Sequence, residues 1–227
     1  MKIMIDAGHG PNTEGKRTPD GMREFEFNAA VAVFLTEELE KLSGVSVFHV
    51  HSNMSDIPLK QRTDKANELR VDCYLSIHAN AYGTSWNSAE GIETFVHSSK
   101  PHEAYQLANI IQASLIKTTG RKNRGVKTAD FHVLRETKMT AILIECGFMT
   151  NKEEAALLRS MEYRKKCAVS IASSIKDYYK LKSKIQGSSK NVIYKVQTGA
   201  FSHYESAEKL ANELRAKGFD TFITKVK

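Results

Sequence analysis

Apolar residues follow two rhythms along this chain: short runs that are almost unbroken, and longer stretches in which they recur every three or four positions. The first run is Ile3-Met4-Ile5, followed at once by Asp6-Ala7-Gly8-His9-Gly10. A run this short predicts a strand buried on both faces, and glycines on either side of His9 allow a tight turn and a close approach. Phe27, Val31, Phe34, Leu35, Leu39 and Leu42 then recur at helical spacing, with Gly44 as a stop. Residues 45–51 read as a second strand. Pro58 opens a helix that carries Leu59, Ala66 and Leu69 inward, with Arg62 and Asn67 on other faces. Residues 72–77 form a third strand ending at His78-Ala79-Asn80, and residues 92–97 a fourth.

The second half repeats the pattern. Tyr105, Leu107, Ala108, Ile111 and Leu115 predict a long amphipathic helix that ends at Gly120. A basic loop, residues 121–127, leads to a short strand over 131–134. Ala141-Ile142-Leu143-Ile144 is another doubly buried strand and runs into Glu145-Cys146-Gly147. A helix over 163–179 turns Ala168, Ile171, Ala172 and Ile175 inward. Alternation this regular predicts an α/β fold: a twisted, mixed, mostly parallel sheet covered by helices on both faces. His9 then lies at the C-terminal lip of a central strand, where open α/β sheets usually bind ligands.

Composition narrows the field. A chain of 227 residues suits one medium domain plus a small module, and 41% apolar residues is ordinary for a globular protein. Cys73, Cys146 and Cys167 are odd in number and far apart, which fits buried thiols better than a disulfide framework. No stretch is long enough for membrane insertion, and the first apolar run is too short for a signal-peptide core. The net charge of +7 implies attraction to polyanions. No basic-aromatic signature accompanies it, so no specific nucleic-acid partner is expected.

Candidate chemistry gathers at the strand ends. His9 and His78 follow two strands, Glu145 follows a third, and Glu24 begins a helix after the glycine-rich loop at residues 11–21. Two imidazoles and a carboxylate from separate elements are the ligand set of a catalytic zinc site, and a further unligated Glu would move the proton of the attacking water. Plainer readings exist for each group. Glu24 and Glu26 also suit a helix N-terminus, and the chain has six other histidines. Glu145 is harder to explain away, since a carboxylate continuing a buried strand needs a partner.

Five pieces in register are far more specific than any one alone. Ile5-Asp6-Ala7-Gly8-His9-Gly10, Gly21-Met22-Arg23-Glu24 with Asn28, Leu59 with Arg62, Ala66 and Asn67, Ser76-Ile77-His78-Ala79-Asn80 and Leu143-Ile144-Glu145-Cys146-Gly147-Phe148 closely resemble the zinc-dependent N-acetylmuramoyl-L-alanine amidases. The likeness implies one Zn2+ per catalytic domain, held by His9, Glu24 and His78, with Glu145 catalytic. Asn28, four residues on, aligns Glu24 with the family's ligand, and Glu26 is the alternative. Arg62 and Asn80 are expected to support the fold or orient a ligand. The implied reaction is hydrolysis of the amide between the muramic acid lactyl group and the first L-alanine of the peptidoglycan stem. Substrate choice would lie in the loops at 82–90 and 121–127. Two rivals remain at this point: a related zinc peptidase cutting within the stem, and a non-catalytic wall- or nucleic-acid-binding protein. With no signal-peptide core in the first apolar run, synthesis in the cytoplasm and action on the wall after release are expected, in phage lysis or mother-cell lysis.

The sequence divides into a catalytic domain over 1–181, a polar linker over 182–190 and a small βαβ unit over 191–227. Val196-Gln197-Thr198-Gly199-Ala200-Phe201, an Ala- and Leu-rich helix over 206–217 with Ala207, Leu210, Ala211 and Leu214 inward, and a strand over 219–226 resemble one repeat of the sporulation-related peptidoglycan-binding module. The module normally contains two such halves. One half has too little core to stand alone, so a homodimer through paired C-terminal repeats is expected, with a doubled mass in light scattering; a tail that frays as a monomer is the alternative. Residues 184–227 carry eight Lys/Arg against four Asp/Glu, which favours contact with anionic wall.

Overall fold

The computed structural model describes residues 1–13, 15–184, 198–219 and 221–224. Two compact units divide between Lys184 and Ile185. The first contains a six-stranded sheet in the order β2-β1-β3-β6-β4-β5: β1 (Lys2–Ala7), β2 (Ser46–His49), β3 (Cys73–Asn80), β4 (Ile92–His97), β5 (Asn123–Ala129) and β6 (Thr140–Phe148). Neighbours run parallel except β4 against β6. The mixed, mostly parallel α/β sheet expected from the alternation is therefore present.

Strand periodicity sorts side chains onto two faces. Ile3, Ile5, Ala7, Leu75, Ile77, Ile142 and Ile144 enter one core with α1 (Glu24–Leu39), α3 (His102–Thr119) and α6 (Met161–Tyr178). Met4, Tyr74 and Leu143 point to the other face, where α2 (Leu59–Leu69) and α4 (His132–Arg135) contribute Ala66, Val133 and Leu134. Because alternation continues, Asp6, Ser76, His78 and Glu145 fall on this second face towards the strand ends. There the cover thins and polar groups replace apolar ones.

Four local expectations differ from the structure. Leu59 is half exposed, at 51%, while Arg62 turns inward and is buried; α2 meets a polar part of the sheet, so its inner face is Arg62, Thr63 and Ala66. Residues 121–127 are not a loop, because β5 begins at Asn123 and pairs with β4 as an edge strand. Residues 131–134 form a helical turn in place of a strand, an ambiguity inherent in so short an apolar run. A helix that the apolar pattern did not announce, α5 (Lys152–Arg159), is capped by Asn151, whose side chain accepts from Glu153 N at 3.0 Å and Glu154 N at 3.1 Å.

The end of the first unit is fastened down. Residues 182–184, expected in the linker, pair with 41–43: Ser43 N donates to Lys182 O at 2.8 Å and Lys184 N to Lys41 O at 2.7 Å. In the second unit, α7 (Tyr204–Ala216) is amphipathic, with Ala211 buried and Ala207, Leu210 and Leu214 half-buried as the spacing predicts. No strand is present among its described residues. The rest of the expected linker lies outside them, as do residues 191–197, 220 and 225–227 of the expected βαβ unit. Among the described residues no helix is long and apolar enough to cross a membrane.

Arg62 is the polar tie between α2 and the sheet. Its Nη1 donates to Asp6 Oδ1 at 2.6 Å, and both side chains are buried. Removing one member of such a pair leaves the other uncompensated, so Arg62→Met is expected to lower the unfolding free energy by about 3–5 kcal/mol. Urea denaturation followed by circular dichroism checks this, and an unchanged midpoint would contradict it.

Candidate metal centre

The end of β1 is shaped by contacts with its backbone. Gly8 N donates to Ile77 O at 3.0 Å, and His9 then adopts a left-handed φ of 65°. Arg62 holds the turn from below, Nη1 donating to Ala7 O at 3.0 Å and Nη2 to His9 O. Its Nε donates to Ile57 O at 2.8 Å, so the guanidinium is fixed on three sides. The His9 imidazole is thereby carried out over the sheet.

Glu24 comes from the first turn of α1, across a loop that it helps to close. Lys16 N donates to Glu24 Oε2 at 2.9 Å, and Glu24 N to Lys16 O at 2.9 Å. The carboxylate is buried and lies between the two imidazoles: His9 Nε2 is 3.0 Å from Oε2, and His78 Nδ1 is 2.8 Å from Oε1. Asn28 Nδ2 donates both to Gly8 O at 3.0 Å and to Glu24 Oε1 at 3.3 Å. Glu26 stands apart from this cluster. It is exposed, and its Oε1 accepts Arg23 N at 2.8 Å to cap α1.

One ligand atom from each of His9, Glu24 and His78 lies within 4.8 Å of the other two. Among the described residues this is the one grouping of three or more such donors. Two imidazole nitrogens and a carboxylate oxygen on separate elements fit a borderline divalent ion and leave a position open. Behind His78, Nε2 meets Ser76 Oγ at 3.1 Å, and Ser76 Oγ donates to Asp6 Oδ2 at 3.0 Å. Tyr74 OH donates to the same Oδ2 at 2.9 Å. A partner on the far ring nitrogen orients a metal-binding histidine and fixes its tautomer.

Charge is distributed unevenly over the two glutamates. Burial raises the Glu24 pKa, but the hydrogen bonds from His78 and His9 more than offset this and hold it below the usual carboxylate range. Burial lowers the His78 pKa, while Glu24 outweighs it and pushes the imidazole up to about 9. Glu145 is opposite His78 in the parallel β3–β6 ladder, and its Oε2 is buried with no protein partner. Burial, with Glu24 and Glu93 adding to it and His78 opposing, pushes its carboxyl up to about 8. A divalent cation beside it would favour the ionised form.

The structure thus brings together the four residues singled out in the sequence: His9, Glu24, His78 and Glu145. The Asn80 side chain is directed elsewhere in its hydrogen bonding: its Nδ2 donates to Glu93 Oε1 at 2.7 Å. Asp6, Tyr74, Ser76 and Glu93 went unrecognised as parts of the site. Their partners are on neighbouring strands and leave no mark in local spacing.

A family model described as N-acetylmuramoyl-L-alanine amidase matches residues 3–177, and the SPOR domain model matches residues 173–227. The N-acetylmuramoyl-L-alanine amidase CwlM of Bacillus licheniformis is 34% identical over 226 residues, covering 98% of this chain and 84% of its own. The sporulation-specific N-acetylmuramoyl-L-alanine amidase of Bacillus subtilis is 34% identical over 229 residues, with the same two shares. The crystal structure of an N-acetylmuramoyl-L-alanine amidase from Clostridium difficile 630 superposes with a TM-score of 0.75 at 32% identity, over 79% of this chain and 96% of its own.

Gly8 gives this arrangement a sharp test, because a Cβ there would lie inside the His78 imidazole. Gly8→Ala is expected to leave the chain folded and to weaken the binding of a divalent cation at this cluster by about 10- to 100-fold. Calorimetric titration with zinc checks this; wild-type affinity in the variant would contradict the placement of His78.

Proposed function

The chain belongs to the N-acetylmuramoyl-L-alanine amidase family, and from that premise we propose that it hydrolyses the amide between N-acetylmuramic acid and the L-alanine of the peptidoglycan stem. The observation that carries this reading is a pair of carboxylates in opposite surroundings. Glu24 is bonded to both imidazoles, whereas Glu145 opposite His78 keeps an unpartnered buried oxygen.

The residues divide the work. His9, Glu24 and His78 would hold a zinc ion, which when bound polarises a carbonyl and lowers the pKa of water to about 7. Glu145 accepts a proton from the attacking water and delivers it to the departing alanine nitrogen, so that the C–N bond breaks with a neutral amine leaving. Its surroundings suit both halves of that cycle. A carboxyl whose pKa lies near the working pH can take a proton and give it back, and burial raises this one towards that range. Ser76 and Asp6 keep the His78 ring oriented, and Arg62 keeps the His9 turn in place.

The SPOR match at residues 173–227 supports a second role, adhesion to the wall. Residues 184–227 carry over half of the chain's excess positive charge, and two weak contacts on one polymer gain avidity without any new interface.

Purified wall and a zinc assay test the reading together. Glu145→Gln is expected to keep zinc while activity falls by about 10²- to 10⁴-fold, and His78→Ala to lose both. Mass spectrometry of the wild-type digest should show new L-alanine amino termini. Cuts confined to bonds within the stem would point to a peptidase and overturn the amidase reading.

A further inference from the structure

The sheet face that carries Glu145 continues across the next strand to a charged group that hydrolysis as described does not use. Glu93 of β4 is opposite Glu145 of β6 in the antiparallel ladder and is buried. Its Oε2 accepts Arg124 Nε at 2.7 Å and Lys127 Nζ at 2.5 Å, and its Oε1 accepts Asn80 Nδ2. One carboxylate therefore faces two cations. Their side chains are 32% and 40% exposed, so positive charge beyond what Glu93 neutralises is presented to solvent.

A bulge aims both cations the same way. Ile92 is opposite Asn123 but Thr94 is opposite Val126, so β5 carries one extra residue, beside Gly125 with its φ of 82°. Asn123 is bonded to Gln112 of α3 and Val126 packs into the core on that side, whereas Arg124 and Lys127 both reach Glu93 on the opposite face. Strict alternation would separate two residues three apart onto different faces, and the extra residue cancels that. Arg124 also lies over the Phe148 ring, 4.7 Å from its centroid, and its Nη1 donates to Glu90 O at 3.3 Å. Among the described residues, Arg124 Nη2 donates to no protein group, and Lys127 Nζ hydrogen-bonds to Glu93 alone while lying 6.0 Å from the Phe95 ring centroid.

His78, Glu145, Glu93 and the two cations thus form a row across β3, β6, β4 and β5. Each step is about 4.8 Å. The cations are drawn back onto Glu93, roughly one step beyond Glu145, and an extended peptide covers that distance in one or two residues at about 3.3 Å each. A group held by these cations would therefore lie within one or two residues of the scissile bond. We propose that Arg124 and Lys127 form a subsite for a free carboxylate on the stem residue that follows the L-alanine, with Glu93 as the positioning residue that holds both cations. This rests on the amidase reading above. It turns residues 121–127 from a loop thought to shape the cleft into a strand edge that reads one charge.

The test uses full-length, zinc-loaded protein and two muramyl pentapeptides that differ only at the second stem residue, a γ-linked glutamate with its α-carboxyl free or amidated. Wild type is expected to favour the free acid in kcat/KM by about tenfold, mainly through KM. Lys127→Met and Arg124→Met should each reduce that ratio, the double variant should bring it near one, and Lys127→Arg should retain it. A ratio does not depend on the fraction of folded enzyme. A wild-type ratio near one, or a preference that survives in the double variant, overturns the subsite. Failure to cleave either peptide or purified wall contradicts the amidase reading itself, and the subsite with it.

Discussion

A guanidinium buried beneath the end of the central strand is the constraint on which this fold most depends. Arg62 cannot stay there unless every side of it finds an acceptor. The acceptors are the Asp6 carboxylate, the carbonyls of Ala7 and His9, and Ile57 O before α2. Satisfying Arg62 therefore fixes the path of the chain as it leaves β1, and with it the place of His9. Satisfying Asp6 brings in Tyr74 and Ser76 from the neighbouring strand, and Ser76 in turn meets the far nitrogen of His78. One buried charge thereby orients both histidines, although it touches neither ring.

Above that support, the site separates like groups by their surroundings. Glu24, Glu93 and Glu145 lie close together around one sheet face, yet each has different company. Glu24 is bonded to two imidazoles, Glu93 to two cations and an amide, and Glu145 Oε2 to no protein group. Burial disfavours charge on all three, so partners decide which stay ionised. The carboxyl left with the weakest compensation is the one suited to exchange a proton, and it is the one opposite His78.

The sequence was most legible where a local pattern carries the physics. Ile3-Met4-Ile5 and Ala141-Ile142-Leu143-Ile144 are buried on both faces in the structure as their unbroken apolar character implies. The helices with long apolar stripes were found, with ends displaced by up to about three residues. His9, Glu24, His78 and Glu145 stood out through family order, and the choice of Glu24 over Glu26 accords with their burial and partners. What escaped depends on contacts between strands or on weak local signals. Arg62 was expected to support the fold, but its direction was not legible, because helical spacing says nothing about a buried acid opposite. The edge strand β5 was hidden by its charges and by the bulge that breaks its alternation. Asn151 and Glu154 have capping-box spacing, but α5 is short and its Glu154 is buried to bond Gly91 N and Phe148 N.

We propose that one divalent ion sits between His9, Glu24 and His78, with Glu145 beside it and uncoordinated. Diffraction at the zinc absorption edge from zinc-soaked crystals of the full chain tests it most directly. The expected result is a single strong anomalous peak in this cluster, about 2.0–2.2 Å from His9 Nε2, His78 Nδ1 and a Glu24 oxygen, with Glu145 outside bonding distance. A peak coordinated by Glu145 or Glu26, or no peak at these three residues, would contradict it.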